Sequence, residues 1–236
     1  MSILLDLLIV ALIGFFAWRG YKSSLIRGLC GVLALIIALY CANLFASIYS
    51  DEFTGVLKPF MNGIVDSSYD KVMGGVVEEG QEDVKILTDK EKEDVYTVSV
   101  ETIRRMGLPD NVAEKIASDV ASEDKRVSQE MANNVAIKIC EKTIFTITFV
   151  LAFALIAIIF AVIGNLINLT FSLPELKKVD IVGGIALGIV RGIIIILVIA
   201  CLGRYLGYII GKEVINKTIL FDWLINSNLI ANLLGI

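Results

Sequence analysis

"GIALGIVRGIIIILVIACLGRYLGYIIG", residues 184–211, decides how this chain is read. The stretch is apolar enough to enter lipid. It nevertheless holds an arginine, Arg191, and two sets of glycines four apart: Gly184, Gly188 and Gly192, then Gly203, Gly207 and Gly211. Residues four apart share one face of a helix, so each triplet is a strip without side chains. In lipid the hydrophobic drive between helices is small, and close backbone approach supplies the contact instead. The segment is therefore expected to be a membrane span that packs through its glycines, within the bundle or between copies of the chain.

Composition points the same way. The 236 residues are 56% hydrophobic and 19% charged, with a mean hydropathy of +0.78, well outside the usual range of soluble domains. Acidic residues outnumber basic ones by 25 to 21, which leaves no electrostatic footprint for nucleic acid. Histidine is absent, and with it the commonest general base and transition-metal ligand. Cys30, Cys41, Cys140 and Cys201 show no CxxC pairing and read as small apolar residues. No catalytic, metal or cofactor site is expected.

Four apolar runs are long enough, or nearly so, to cross a bilayer: Ile3–Trp18, Leu29–Ile48, Thr143–Leu173 and Ile181–Ile210. A helical span takes roughly 20 residues for ~30 Å of hydrocarbon. The first run is marginal and needs Arg19 and Lys22 to snorkel. Having no basic residues before it and no small-residue cleavage site after it, this run is expected to be retained rather than cleaved as a signal peptide. The expected architecture is all-α and polytopic, with four transmembrane helices, a helical acidic extramembrane insert and a C-terminal amphipathic helix. Residues 1–50 supply the first two spans as a hairpin, 51–142 the insert, 143–212 the last two spans, and 213–236 the amphipathic helix.

The insert carries 12 basic and 20 acidic residues. Its opening, around "PFMNGIVDSSYDKVMGG", is rich in turn residues and gives no clear pattern. A helix is expected after Thr88, which stands at capping-box spacing from Glu91, with a stop at Gly107–Leu108–Pro109. Asp110 is placed to cap a second helix, and a third, from about Val127, runs into the third span. In the tail, apolar residues recur at helical spacing around Trp223, which fits a helix lying on the membrane with Trp223 as its anchor, or one packed against the insert.

The turn between the first two spans, "RGYKSSLIR", holds Arg19, Gly20, Lys22 and Arg27 without an acid. The excess of basic residues places it in the cytoplasm, with both termini and the insert outside. Arg191 falls about 15 Å into the last span by helix rise, and Asp6 lies about 20 Å above the turn. A lone arginine at such depth costs about 2.5–3.5 kcal/mol on insertion scales. An interhelical Asp6–Arg191 pair is one solution; snorkelling of Arg191, with a span reduced to Ile193–Ile210, is the other.

The acid in "LLDLLIVALI", the turn "RGYKSSLIRGL", the opening "VDIVGGIALGIVRGIIIILVI" and the tail "FDWLINSNLIANLL" together resemble the colicin V production protein (CvpA) family of bacterial inner-membrane proteins. Asp6, Arg19, Gly20, Gly188, Arg191 and Gly192 fall on its recurrent positions. The resemblance implies a four-helix protein linked with bacteriocin (colicin V-type toxin) production and envelope maintenance. It also implies, for some relatives, an extracytoplasmic serine protease domain after the last span, which is not expected in the residues up to Ile236. The expected role is a non-enzymatic accessory or scaffold protein of the inner membrane, in contact with lipid, with a second copy of itself, and through residues 51–142 with an envelope or export protein. The alternative is a small oligomeric transporter or channel in which Arg191 attracts an anion.

Overall fold

A computed structural model describes residues 2–23, 25–75, 87–88, 90–166, 177–205, 220 and 224. Among these the chain is wholly helical. The helices are α1 (Ser2–Tyr21), α2 (Leu25–Gly74), α3 (Val95–Arg105), α4 (Asp110–Glu123), α5 (Gln129–Leu166) and α6 (Lys177–Tyr205), with a short 3₁₀ turn at Glu91–Glu93. They contribute to two units. The first holds α1, α2 as far as Ile48, α5 from Ile147 and α6 as far as Leu202; the second holds α2 from Tyr49, α3, α4 and α5 as far as Thr146.

In the first unit, burial is inverted relative to a soluble protein. Small residues point inward: Ala38, Ala42 and Ala46 of α2 are fully buried at a spacing of four. Large apolar residues point outward, among them Ile36, Tyr40 and Ile48 of α2, Leu151, Leu155 and Ile158 of α5, and Val182 of α6. Three of the described helices, α2, α5 and α6, are long and apolar enough to cross a membrane, and only 17–33% of each apolar window is buried within the protein. An exposed apolar surface of this extent needs lipid as its solvent. The chain is a multi-pass membrane protein. The first apolar run, Ile3–Trp18, lies inside the helix α1.

The second unit is built like a soluble helical domain. Met61, Val65, Ser68, Tyr69 and Val72 make one buried stripe on α2, spaced by three and four residues. The segment whose turn residues obscured its pattern is thus helical through Gly74, even though Pro59 lies inside it and deletes the backbone bond to the Gly55 carbonyl. Gly75, at φ 67°, follows the last turn in the left-handed region that favours glycine. Thr88 and Glu91 do bond, the Glu91 carboxylate accepting from the Thr88 amide at 2.9 Å and its hydroxyl at 2.7 Å. What they close is the 3₁₀ turn. The cap of α3 is Asp94, which accepts from the Thr97 amide at 3.1 Å.

α3 stops where expected, with Gly107 at φ 87° and its amide on the Arg104 carbonyl. The expectation for Asp110 needs correcting. The cap position of α4 is Pro109, and Asp110 is the first helical residue, its carboxylate 3.0 Å from Nε of Arg104. α3 and α4 pack on each other. Ser99 of α3 reaches the Met131 sulfur of α5, Gln129 donates to Asp66 at 2.7 Å, and Lys138 pairs with Glu123 at 2.8 Å.

Candidate functional site

The residues singled out in the sequence converge where α1 turns into α2 beside α6. α1 ends at Tyr21 and α2 begins at Leu25, so three residues reverse the chain. The Gly20 carbonyl accepts from the Ser23 amide at 3.0 Å and the Ser23 hydroxyl at 3.1 Å. Lys22 places its ammonium 4.2 Å from the centre of the Trp18 ring, a cation–π contact at the polar end of an exposed aromatic side chain.

α6 packs against this turn backbone to backbone. A Cβ on Gly184 would lie 2.6 Å from the carbonyl oxygens of both Gly20 and Ser23, and one on Gly188 would lie 3.0 Å from the Gly20 Cα. Gly192 continues the strip, with room to 3.2 Å from the Phe16 Cβ. The first glycine triplet is therefore occupied within the chain, by α1. Of the second triplet, Gly203 is buried; Gly207 and Gly211 lie outside the described residues, as does Trp223.

The start of α2 is secured from α6. Its first amide, on Leu25, donates to the Asp180 carboxylate at 2.6 Å. Asp180 also stands in the first turn of α6, where a negative charge is favoured by the exposed N–H groups. One carboxylate thus serves two helix N-termini.

Arg191 lies beyond this cap and reaches α2. Its Nη2 donates to the carbonyl oxygens of Arg27 at 3.4 Å and Gly28 at 3.3 Å. A carbonyl has two lone pairs, so helical carbonyls can accept a second donor. The guanidinium occupies space that a side chain at Gly31 would fill, since a Cβ there would overlap Nη2. Gly28 likewise makes room for Leu187, whose Cδ1 would lie 3.0 Å from its Cβ. Gly28 and Gly31, three residues apart, lie in the opening turns of α2 and were not singled out from the sequence.

The expected Asp6–Arg191 pair is not what the contacts give: the two residues have different partners. Asp6 accepts from the backbone amide of Leu220 at 3.1 Å. The register explains why. Gly20 meets Gly184 and Gly188, Phe16 meets Gly188 and Gly192, and Ile9 clusters with Ile196 and Ala200. The two helices are antiparallel, and Asp6 falls level with about residue 200, roughly 13 Å beyond Arg191 by helix rise. That exceeds the reach of the side chain. Leu224 joins the Ile9–Ile196–Ala200 cluster, so the described tail residues dock on α1 and α6.

Beside the guanidinium is a cleft of about 530 Å³. Arg19, Lys22, Arg27 and Arg191 are among the residues that line it, with Leu33, Ile37 and Phe160; its described lining contains no acid. Among the described residues no group of acids and cysteines is arranged to hold a metal.

Residues 121–229 match the family model described as colicin V production protein. The match takes in the end of α4 and all of α5 and α6. The earlier blocks carrying the resemblance, around Asp6 and Arg19–Arg27, precede it. No curated protein and no solved structure matches the chain. With its exposed apolar helices, this chain is a multi-pass membrane protein whose residues 121–229, the Arg191-bearing helix among them, match the colicin V production protein family.

Proposed function

We propose that the protein is a non-catalytic scaffold or accessory factor of the bacterial inner membrane in bacteriocin production and envelope maintenance. α1 serves as a fourth span. The basic turn faces the cytoplasm, and the termini and the acidic helical unit face outward, where that unit engages an envelope or export protein. The observation that carries this reading is the glycine seam of Gly20, Gly184 and Gly188. A backbone-to-backbone contact leaves no side chains to rearrange, which suits a rigid platform better than a moving carrier. The family match supports the link with bacteriocin production. The mixed burial of α3 and α4, with a packed inner face and exposed acids such as Glu114, suits a docking module.

Bacteriocin secretion from a producing strain tests the proposal. Deleting the gene should reduce secreted activity, and the full chain should restore it. A chain with residues 90–123 replaced by a flexible linker should insert in the membrane and fail to restore. Unchanged secretion on deletion would refute the reading.

A further inference from the structure

A glycine strip of the kind that joins copies of a membrane protein is used here within the chain, because Gly184 and Gly188 of α6 meet Gly20 and Phe16 of α1. A different face carries the pattern of a helix pair. Along the part of α2 that belongs to the second unit, the exposed large apolar residues are Tyr49, Phe53, Val56 and Phe60, at 40, 50, 80 and 58% exposure. Gly63 and Ser67, also exposed, continue the series. The steps are four, three, four, three and four residues, which is the alternation of a and d positions in a heptad. The line is narrow: Asp51, Glu52 and Gly55 lie between its first members and are exposed themselves. The buried stripe of Met61, Val65, Ser68 and Val72 falls on positions b and f of the same heptad, away from this line.

We propose that this line is the docking surface for a second copy of the chain, α2 against α2 about a twofold axis, with Val56 at its centre. Its shape selects a helix over lipid. A strict a/d line is the seam of paired helices, whereas a lipid-facing surface is broad. In the first unit α2 exposes Ile36, Tyr40, Phe45 and Ile48, which spread over about half the helix circumference at 100° per residue. The carboxylates of Asp51 and Glu52 beside the line are costly in hydrocarbon and harmless at the rim of a protein contact. Its flanks permit self-association. With Phe53 and Phe60 at a, the g positions Glu52 and Pro59 face the e positions Leu57 and Ile64 of the other copy in a parallel pair, so no like charges meet. The four large side chains expose ~400 Å² per copy, taking 150–250 Å² for a whole aromatic residue. That is about half of what a stable soluble dimer uses per partner. Confinement of both copies to one bilayer raises their effective concentration and offsets the shortfall. The line lies outside residues 90–123, so its failure would leave the scaffold reading standing.

Disulfide cross-linking of the full chain in phosphatidylcholine liposomes tests the contact. Cys30→Ser and Cys41→Ser first remove the two thiols that are not buried. In that background Val56→Cys should give a disulfide-linked dimer on mild oxidation with copper phenanthroline. Gly55→Cys, exposed and with nothing within 4 Å of its new Cβ but off the line, should cross-link at least about tenfold more slowly, since a disulfide needs close and facing Cβ atoms. Adding Phe53→Ser and Phe60→Ser alters only exposed side chains and should lower Val56→Cys cross-linking about tenfold or more, through the apolar area lost from the contact. Equal rates for Val56→Cys and Gly55→Cys, as expected of a face covered by lipid or by another protein, would overturn the proposal. So would a Val56→Cys rate that the two serine substitutions leave unchanged.

Discussion

Gly31→Ala is the sharpest probe of how the fold tolerates its arginine. In an exposed helix the change should stabilise by about 0.5–1 kcal/mol, because glycine is the weaker helix former. At this position the new methyl overlaps Nη2 of Arg191, so the guanidinium must leave the Arg27 and Gly28 carbonyls. Hydrogen bonds to charged groups are worth about 1.5–3 kcal/mol, and the length of these two argues for the lower end. The expected net effect is about 1 kcal/mol of destabilisation. In an Arg191→Met background the obstruction is gone, and Gly31→Ala should stabilise instead. The coupling between the two positions is then about 1.5–2 kcal/mol, well above the few tenths expected of independent sites. Reversible unfolding of the four proteins in mixed micelles, by titration with a denaturing detergent, reads it directly. If Gly31→Ala shifts stability equally in both backgrounds, Arg191 does not use the space that Gly31 leaves.

Other substitutions separate the remaining contacts. Gly188→Leu should destabilise the chain by about 1–3 kcal/mol through overpacking of α1 against α6, whereas Gly14→Ala, with nothing within 4 Å of the new methyl, should be neutral or slightly stabilising in the same titration. Asp180→Ala removes the cap from the first amide of α2 and should cost about 1 kcal/mol; hydrogen exchange should quicken at Leu25–Gly28 and remain unchanged in α3. Liposomes carrying the purified chain should show no anion flux above empty vesicles; flux abolished by Arg191→Gln would favour the transporter alternative.

The sequence revealed the helical class, the apolar runs and the stop at Gly107, because each depends on local spacing or backbone freedom. Partner choice was less legible. Gly188 was recognisable as a contact residue, but only the antiparallel register assigns it to Gly20 and Phe16. Depth counted separately for Asp6 and Arg191 put them within reach, since the count on α6 began at Ile181; in the folded chain Gly184 is already level with the turn. Asp180 was passed over because an acid at the start of an apolar run reads as a boundary, and nothing local shows that it bonds to an amide 155 residues away. Ala38, Ala42 and Ala46 carry the same four-residue spacing as the glycines and were hidden only by being alanines in an apolar run. In α2 beyond Tyr49, the buried stripe from Met61 to Val72 outweighs Pro59 and the neighbouring glycines, because tertiary burial overrides local propensity.

The charged groups near the apolar core follow a common physical logic. A mutual Asp6–Arg191 pair would fasten α1 to α6 at one depth and place both charges in the same low-dielectric layer, where desolvation offsets much of the attraction. Backbone partners avoid that. Arg191 takes carbonyls from the opening turns of α2, Asp180 takes an amide from the same helix start, and Asp6 takes the amide of Leu220 near the other end of α1. Two of these contacts hold the α1–α2 turn against α6, and the third holds the tail, with Leu224 packed nearby on Ile9 and Ala200. Such partners are fixed by helix geometry and carry no rotamer entropy of their own, so each charge meets a pre-ordered dipole.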